Sequence, residues 1–173
     1  MKNIVYLGGK QVGCAGLLSV IAMGYDVKAV VPYGYLVENL AAELEIPMFQ
    51  SVKDDIHDLI FGGIDMIVSV HSREIVPKEI LELPRYGCIN VHPCLSRYKG
   101  ANPVHRFFDD GWKMASVGVH YMTEVVDEGD VIIEEYVNVT GVKSVNEIYN
   151  ILYPYYITAL IRALKRLERT NNE

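Results

Sequence analysis

The strongest constraint on this chain is an alternation of short β-branched runs with longer segments whose apolar residues recur at helical spacing. Strands are predicted at residues 3–7, 26–31 and 65–70. Helices are predicted between them, at residues 12–23, 36–44 and 54–61. This alternation is typical of a Rossmann-like α/β fold, a mostly parallel sheet with helices on both faces that binds ligands at the carboxyl ends of its strands.

The second half of the chain predicts an antiparallel extension of that sheet near residues 116–139. A strand at residues 87–92 and a helix at 103–109 precede two alternating strands, at 116–122 and 131–139. A final helix is expected at residues 144–167, with Ser144 and Glu147 at capping-box spacing and a kink or restart at Pro154. Neither a repeat nor a linker interrupts the chain, so a single domain over residues 1–173 is expected.

Composition excludes several classes of protein. Half of the 173 residues are hydrophobic, and a chain of this length can bury roughly 70% of its unfolded surface. The formal net charge is −6 and the basic residues gather only near the carboxyl end, which argues against a nucleic-acid partner. Three cysteines without CxxC spacing fit a reducing compartment, and neither a signal peptide nor a membrane span is apparent. A cytoplasmic protein with no membrane partner is expected.

Glycines between the first strand and the first helix invite comparison with dinucleotide-binding folds. Gly8, Gly9 and Gly13 have GGxxxG spacing rather than GxGxxG, and no acidic residue follows the second strand. Close packing of strand and helix is therefore favoured over NAD(P) binding.

The most informative polar residues lie at the end of the strand at 87–92. Because side chains alternate across a strand, Asn90 and His92 share a face, and Pro93 ends the ladder beside them. Burying such a pair is costly unless both side chains are hydrogen-bonded. From the spacing alone, a functional pair and a locally satisfied structural pair are equally open. A carboxylate from the acidic loop at residues 123–130 could approach His92.

A metal site is not expected. His92, His105 and His120 have spacings that fit no zinc motif, and His105 lies on a different predicted element from the other two.

Four segments resemble the folate-dependent formyltransferases, which include glycinamide ribonucleotide transformylase, methionyl-tRNA formyltransferase and the amino-sugar N-formyltransferases. They lie at residues 90–93, 98–100, 118–122 and 126–132. The resemblance implies the formyltransferase fold and transfer of a formyl group from 10-formyltetrahydrofolate to a primary amine, without a metal. It assigns the catalytic triad to Asn90, His92 and Asp127.

The resemblance also implies a folate pocket and an acceptor pocket. The implied folate pocket comprises Ser72, Arg73, Ile75, Ile80, Cys88, Met122, Thr123 and Val126. The acceptor pocket is expected to comprise Gly9, Lys10, Gln11, Tyr98, Gly100 and Asn102. The stretch Pro93-Cys94-Leu95-Ser96-Arg97 departs from the family pattern and is one residue shorter, so the floor of the acceptor pocket is expected to differ.

The segments 13–16, 24–27 and 100–103 most resemble the amino-sugar enzymes, which makes a nucleotide-linked amino sugar the leading acceptor. Glycinamide ribonucleotide is the runner-up. Methionyl-tRNA is disfavoured by the charge and by the brevity of the chain. Hydrolysis of formyl-folate and folate or nucleotide binding without turnover remain alternatives. The broad apolar surface of the last helix fits either a homodimer or packing over the sheet.

Overall fold

The computed structural model describes residues 2–54, 59–60 and 62–170, and a mixed six-stranded sheet organises them. The strands are β1 (Asn3–Gly9), β2 (Asp26–Tyr33), β3 (Met66–Val70), β4 (Cys88–Pro93), β5 (Met114–Tyr121) and β6 (Val131–Asn138). Their order is β2-β1-β3-β4-β5-β6. The first four are parallel and the last two antiparallel, which confirms the predicted fold and its antiparallel extension.

In the described part of the chain, five helices have defined bounds. They are α1 (Lys10–Ala22), α2 (Tyr35–Glu43), α3 (Lys78–Leu81), α4 (Pro103–Asp109) and α5 (Val145–Thr170). The sequence did not predict α3, because four residues are too few to show helical periodicity. The predicted helix at residues 54–61 lies mostly outside the described residues.

Both faces of the sheet are covered. On one face, Ile4, Val68 and Val91 pack with residues of α1, α2, α4 and α5. On the other face, Val5 and Ile67 pack with Val52, Ile60 and Ile80. The central strands β1 and β3 are therefore buried on both sides, which explains why their sequences are continuous apolar runs.

Gly8 and Gly9 belong to β1 rather than to a loop, because they pair with Pro32 and Tyr33. The strand turns directly into α1 at Lys10, whose φ is 56°. Gly13 lies inside that helix, where a Cβ would come within 3.0 Å of the Gly8 carbonyl carbon and 3.1 Å of Val37. Close packing of strand against helix is what this glycine permits.

The long helix α5 continues through Pro154, so the predicted restart does not occur. At its start the Glu147 N–H donates to Ser144 Oγ, but the Glu147 carboxylate accepts from the Lys143 N–H rather than from Ser144. Ile148, Leu152 and Leu160 are buried over the sheet. Within the described residues, no helix is long and apolar enough to cross a membrane.

Candidate active site

The polar pair of β4 lies where the sheet changes from parallel to antiparallel pairing. β4 is paired with β3 on one side and with β5 on the other, so Asn90 faces Ser69 and His120 in register. Ser69 Oγ donates to Asn90 Oδ1 at 2.8 Å. This bond fixes the amide, and its nitrogen, Nδ2, then points towards His120 at 3.5 Å. Asn90 thus keeps a donor available beside His92.

Asp127 reaches back from the loop after β5 and lies between two histidines. Its Oδ2 is 3.0 Å from His92 Nε2, and its Oδ1 is 3.2 Å from His120 Nε2. The Gly100 N–H donates to Oδ2 at 2.7 Å. The carboxylate side chain is only 8% exposed, so these contacts operate with little screening by water.

The surroundings fix the charge of Asp127. Burial alone would raise its pKa, but the hydrogen bond from His120, the neighbouring His92 and the Gly100 amide together lower that pKa to about 2. For His92, burial lowers the pKa, while Asp127 and the Gly100 carbonyl act in the opposite direction. The site therefore pairs an ionised carboxylate with a histidine that is neutral near pH 7.

Hydrogen-bond partners also place the hydrogen on His92. Its Nε2 faces two acceptors, Asp127 Oδ2 and the Gly100 carbonyl at 3.3 Å, so Nε2 carries the hydrogen. The basic nitrogen of the neutral ring is then Nδ1. That atom is buried and has no hydrogen-bond partner among the described residues.

His120 was not assigned to the predicted triad, and the structure places it in the site. Both of its ring nitrogens face acceptors: Nδ1 lies 2.7 Å from the Tyr121 carbonyl and Nε2 approaches Asp127. Strand pairing is the sequence signal for this position, because a residue directly opposite Asn90 shares its face.

A cavity of about 720 Å³ opens at the carboxyl ends of β1, β3 and β4 and contains this cluster. Twelve of the predicted site residues line it: Lys10, Ser72, Arg73, Ile75, Asn90, His92, Gly100, Asn102, Met122, Thr123, Val126 and Asp127. Lining residues that the sequence analysis did not assign to the site include His71, Glu74, Val76, His105, His120 and Tyr149.

Five predicted site residues do not line the cavity. Ile80 and Cys88 are buried in the core, where the Cys88 thiol contacts the Leu81 carbonyl. Gly9 is buried in β1, and a Cβ on it would lie 2.6 Å from the His71 carbonyl oxygen. Gln11 is exposed on α1. Tyr98 instead donates to Asp110 and packs edge-on against Phe107.

Tyr98 belongs to a segment, residues 94–102, that we call the strap. Arg106 donates to the Lys99 carbonyl and Lys99 pairs with Glu128, so the strap is fastened to α4 and to the Asp127 loop. Its Gly100, with φ of 77°, contacts both members of the His92 and Asp127 pair through its backbone. The strap therefore closes the end of the cavity that holds His92 and Asp127.

The far side of the cavity is aromatic and basic. Lys10 Nζ lies 5.2 Å from the ring centre of Tyr149, and His71 packs edge-on against the same ring at 6.3 Å. Burial, together with Lys10, Arg73 and His92, lowers the His71 pKa to about 4. Among the described residues, no cluster of three or more His, Cys, Asp or Glu side chains could hold a metal ion.

These features define an α/β protein with an acid–base centre at the carboxyl end of a central strand, a class to which many group-transfer enzymes belong. The profile of the formyl transferase family matches residues 49–164, which includes β3 to β6 and all three predicted triad residues. The chain belongs to the formyl transferase family.

Two relatives illustrate this membership. The chain is 33% identical to the methionyl-tRNA formyltransferase of Alkaliphilus metalliredigens, and the match covers 96% of this chain and 59% of that protein. It is 32% identical to the methionyl-tRNA formyltransferase of Clostridioides difficile, over 98% of this chain and 60% of the other. The chain thus spans about three fifths of the length of these relatives.

Solved structures show the same fold. A formyltetrahydrofolate deformylase from Pseudomonas syringae superimposes with a TM-score of 0.84 at 22% identity, over 97% of this chain and 62% of that one. A phosphoribosylglycinamide formyltransferase from Bacillus halodurans gives a TM-score of 0.80 at 18% identity, over 94% and 95%. At these identities the likeness concerns the fold alone.

Proposed function

We propose that the chain transfers a formyl group from 10-formyltetrahydrofolate to a primary amine, with Asn90, His92 and Asp127 as the catalytic residues. The observation that carries the proposal is the buried Asp127 carboxylate, which lies between His92 and His120. His120 in turn lies opposite Asn90 on the neighbouring strand. Family membership supports the same reaction.

The residues present suit the chemistry of this transfer. Attack of an amine on the formyl carbon creates an oxyanion and a positively charged nitrogen, so the site needs a hydrogen-bond donor and a proton acceptor. Asn90 Nδ2 is the donor, and the amide is oriented by the hydrogen bond that its oxygen accepts from Ser69 Oγ. The proton lost by the amine passes to the His92 and Asp127 pair and from there to N10 of the folate. One C–N bond forms, the C–N10 bond breaks, and tetrahydrofolate leaves.

The cavity also suits the donor molecule. Its volume of about 720 Å³ lies within the range of sites for drug-sized ligands. Ile75, Val76, Met122 and Val126 provide an apolar wall for a pterin ring next to the polar centre. The predicted folate residues Ser72, Arg73 and Thr123 lie along the same wall.

The proposal also concerns the acceptor. The assignment of a nucleotide-linked amino sugar as the acceptor is based on three sequence segments, whereas the relatives named above are methionyl-tRNA formyltransferases. Of the six predicted acceptor residues, Lys10, Gly100 and Asn102 line the cavity. A single catalytic domain and a homodimer likewise remain predictions.

The test is a spectroscopic assay of tetrahydrofolate formation from 10-formyltetrahydrofolate. It is run with a nucleotide-linked amino sugar, glycinamide ribonucleotide, methionyl-tRNA or no acceptor. Formation that depends on one amine supports the proposal and identifies the acceptor. Formate release without any amine would replace it with hydrolysis, and folate binding without turnover would indicate a binding protein.

The pH dependence of turnover provides a second test. Because the His92 pKa is lowered, the neutral ring persists below pH 6.5, and kcat/KM is expected to fall only at more acidic pH. A loss of activity centred above pH 6.5 would contradict this role of neutral His92.

A further inference from the structure

The wall segment, residues 72–76, follows β3 and separates the cavity from the core. We propose that Glu74 is a positioning residue that holds this wall segment in its folate-binding shape. The inference rests on the proposed function, and it adds a role for a side chain that the sequence analysis left unassigned.

The Glu74 carboxylate is held by three donors from distant parts of the chain. Tyr33, at the end of β2, donates its hydroxyl to Oε2 at 2.7 Å, and the Val52 N–H donates to the same oxygen at 3.2 Å. Ser51 Oγ donates to Oε1. These contacts tie the wall segment to β2 and to the chain at residues 51–52.

The arrangement requires an ionised carboxylate. Burial alone would raise the Glu74 pKa, but the hydrogen bonds from Ser51, Tyr33 and Val52 lower it, so the group stays charged near neutral pH. A carboxylate has only acceptors, which matches three donors. The amide of a glutamine would keep one accepting oxygen and turn an NH2 group towards the remaining donors.

Few other contacts fix the wall segment, which has neither helical nor strand structure. At its start, Ser69 Oγ lies 3.1 Å from Ser72 Oγ. At its end, Val76 is only 4% exposed and anchors the segment in the core. Between these ends, Ile75 is 67% exposed although it lines the cavity. The shape of the middle of the segment therefore depends on Glu74, and loosening it would add an ordering cost to folate binding.

The test compares steady-state constants for wild type, Glu74→Ala, Glu74→Gln and Tyr33→Phe. We expect Glu74→Ala to raise the KM for 10-formyltetrahydrofolate about tenfold or more, with kcat within about threefold and the acceptor KM unchanged. Glu74→Gln should recover part of the loss. Tyr33→Phe should raise the folate KM about two- to fivefold alone and add nothing in the Glu74→Ala background. Glu79→Ala, an exposed acid on α3, is the matched control and should behave as wild type.

Each outcome has a definite meaning. An unchanged folate KM in folded Glu74→Ala, or additive effects of Tyr33→Phe and Glu74→Ala, would overturn the positioning role. A lower kcat together with a higher KM for both folate and acceptor and a lower Tm would mean that Glu74 only stabilises the fold. This outcome would also overturn the positioning role. If Glu74→Ala does not fold, Glu74→Gln and Tyr33→Phe decide. Wild type that neither binds nor uses the folate would overturn the proposed function and this inference together.

Discussion

The two sides of the cavity are held in place by different means. On the catalytic side, Asn90 and His120 lie on paired strands in direct register, and Asp127 is fixed by two rings and a backbone amide. On the folate side, the wall segment crosses from β3 to α3 without regular structure and is held by Ser72, Glu74 and Val76.

Because of this difference, substitutions on the two sides should affect different properties of the enzyme. The catalytic side is built on the sheet, so a substitution there changes chemistry and leaves the shape of the cavity intact. The folate side depends on a few contacts between distant residues, so a substitution there changes the affinity for folate.

Asp127→Asn should produce the largest effect. The substitution keeps the shape of the side chain but removes the negative charge of the carboxylate that contacts both His92 and His120. We therefore expect kcat to fall by about 100-fold or more. The folate KM should stay within a few-fold of wild type, and the Tm should change little. Steady-state kinetics measure kcat and the folate KM, and thermal unfolding measures the Tm.

The matched control for this prediction is Glu124→Gln, in the same loop but exposed and paired with Lys78 at the surface. It should retain wild-type turnover. Near-normal kcat in Asp127→Asn would show that the catalytic side works without the carboxylate, and the comparison of the two sides would fail.

The second prediction concerns the pH dependence of stability. It involves His71, the residue directly before the wall segment. The His71 pKa is about 4 in the folded protein and near 6.5 when unfolded. Between these values the unfolded chain binds a proton that the folded chain does not, so stability decreases as the pH falls from 6.5 to 4. His92 adds to this in the same direction.

His71→Asn removes the titrating ring and suits the left-handed backbone at this position, where φ is 60°. Chemical denaturation at pH 7 and pH 4.5 should show a smaller loss of unfolding free energy in this variant, by up to about 3 kcal/mol. Equal losses in the two proteins would mean that the folate side contributes nothing to acid sensitivity.

The sequence predicts the features of the two sides to different extents. The strands, their antiparallel extension and the shared face of Asn90 and His92 follow from apolar runs and alternation, which are local signals. The place of Asp127 came from resemblance to a family. The partners of Glu74 could not be predicted, because Tyr33 and Ser51 are 41 and 23 residues away and no periodicity links them.

Two positions depend on packing that no local pattern in the sequence shows. Cys88 shares a face with Asn90 and His92, but its depth at the start of β4 puts it in the core. At Gly129 the constraint is an approach between chain segments: a Cβ there would lie 1.9 Å from the Tyr121 carbonyl oxygen.

Gly129→Ala tests that constraint as the third prediction. The added methyl group forces the loop away from the end of β5 and displaces Asp127 two residues earlier, so we expect kcat to fall about tenfold. Asp130→Ala, an exposed neighbour whose backbone carbonyl still bonds to Tyr121, should retain activity. If both variants have wild-type kcat, the position of Asp127 does not depend on this close approach.

Arg73→Ala should have the smallest effect, although Arg73 adjoins Glu74 and lines the cavity. Its side chain is exposed, and a solvent-screened charge contributes at most about 1 kcal/mol, so the folate KM should rise no more than about two- to fivefold. Measured beside Glu74→Ala, this variant separates the wall's shape from its charge. A rise as large as that of Glu74→Ala would mean that the guanidinium itself binds the folate and that the folate side, like the catalytic side, acts through charged contacts.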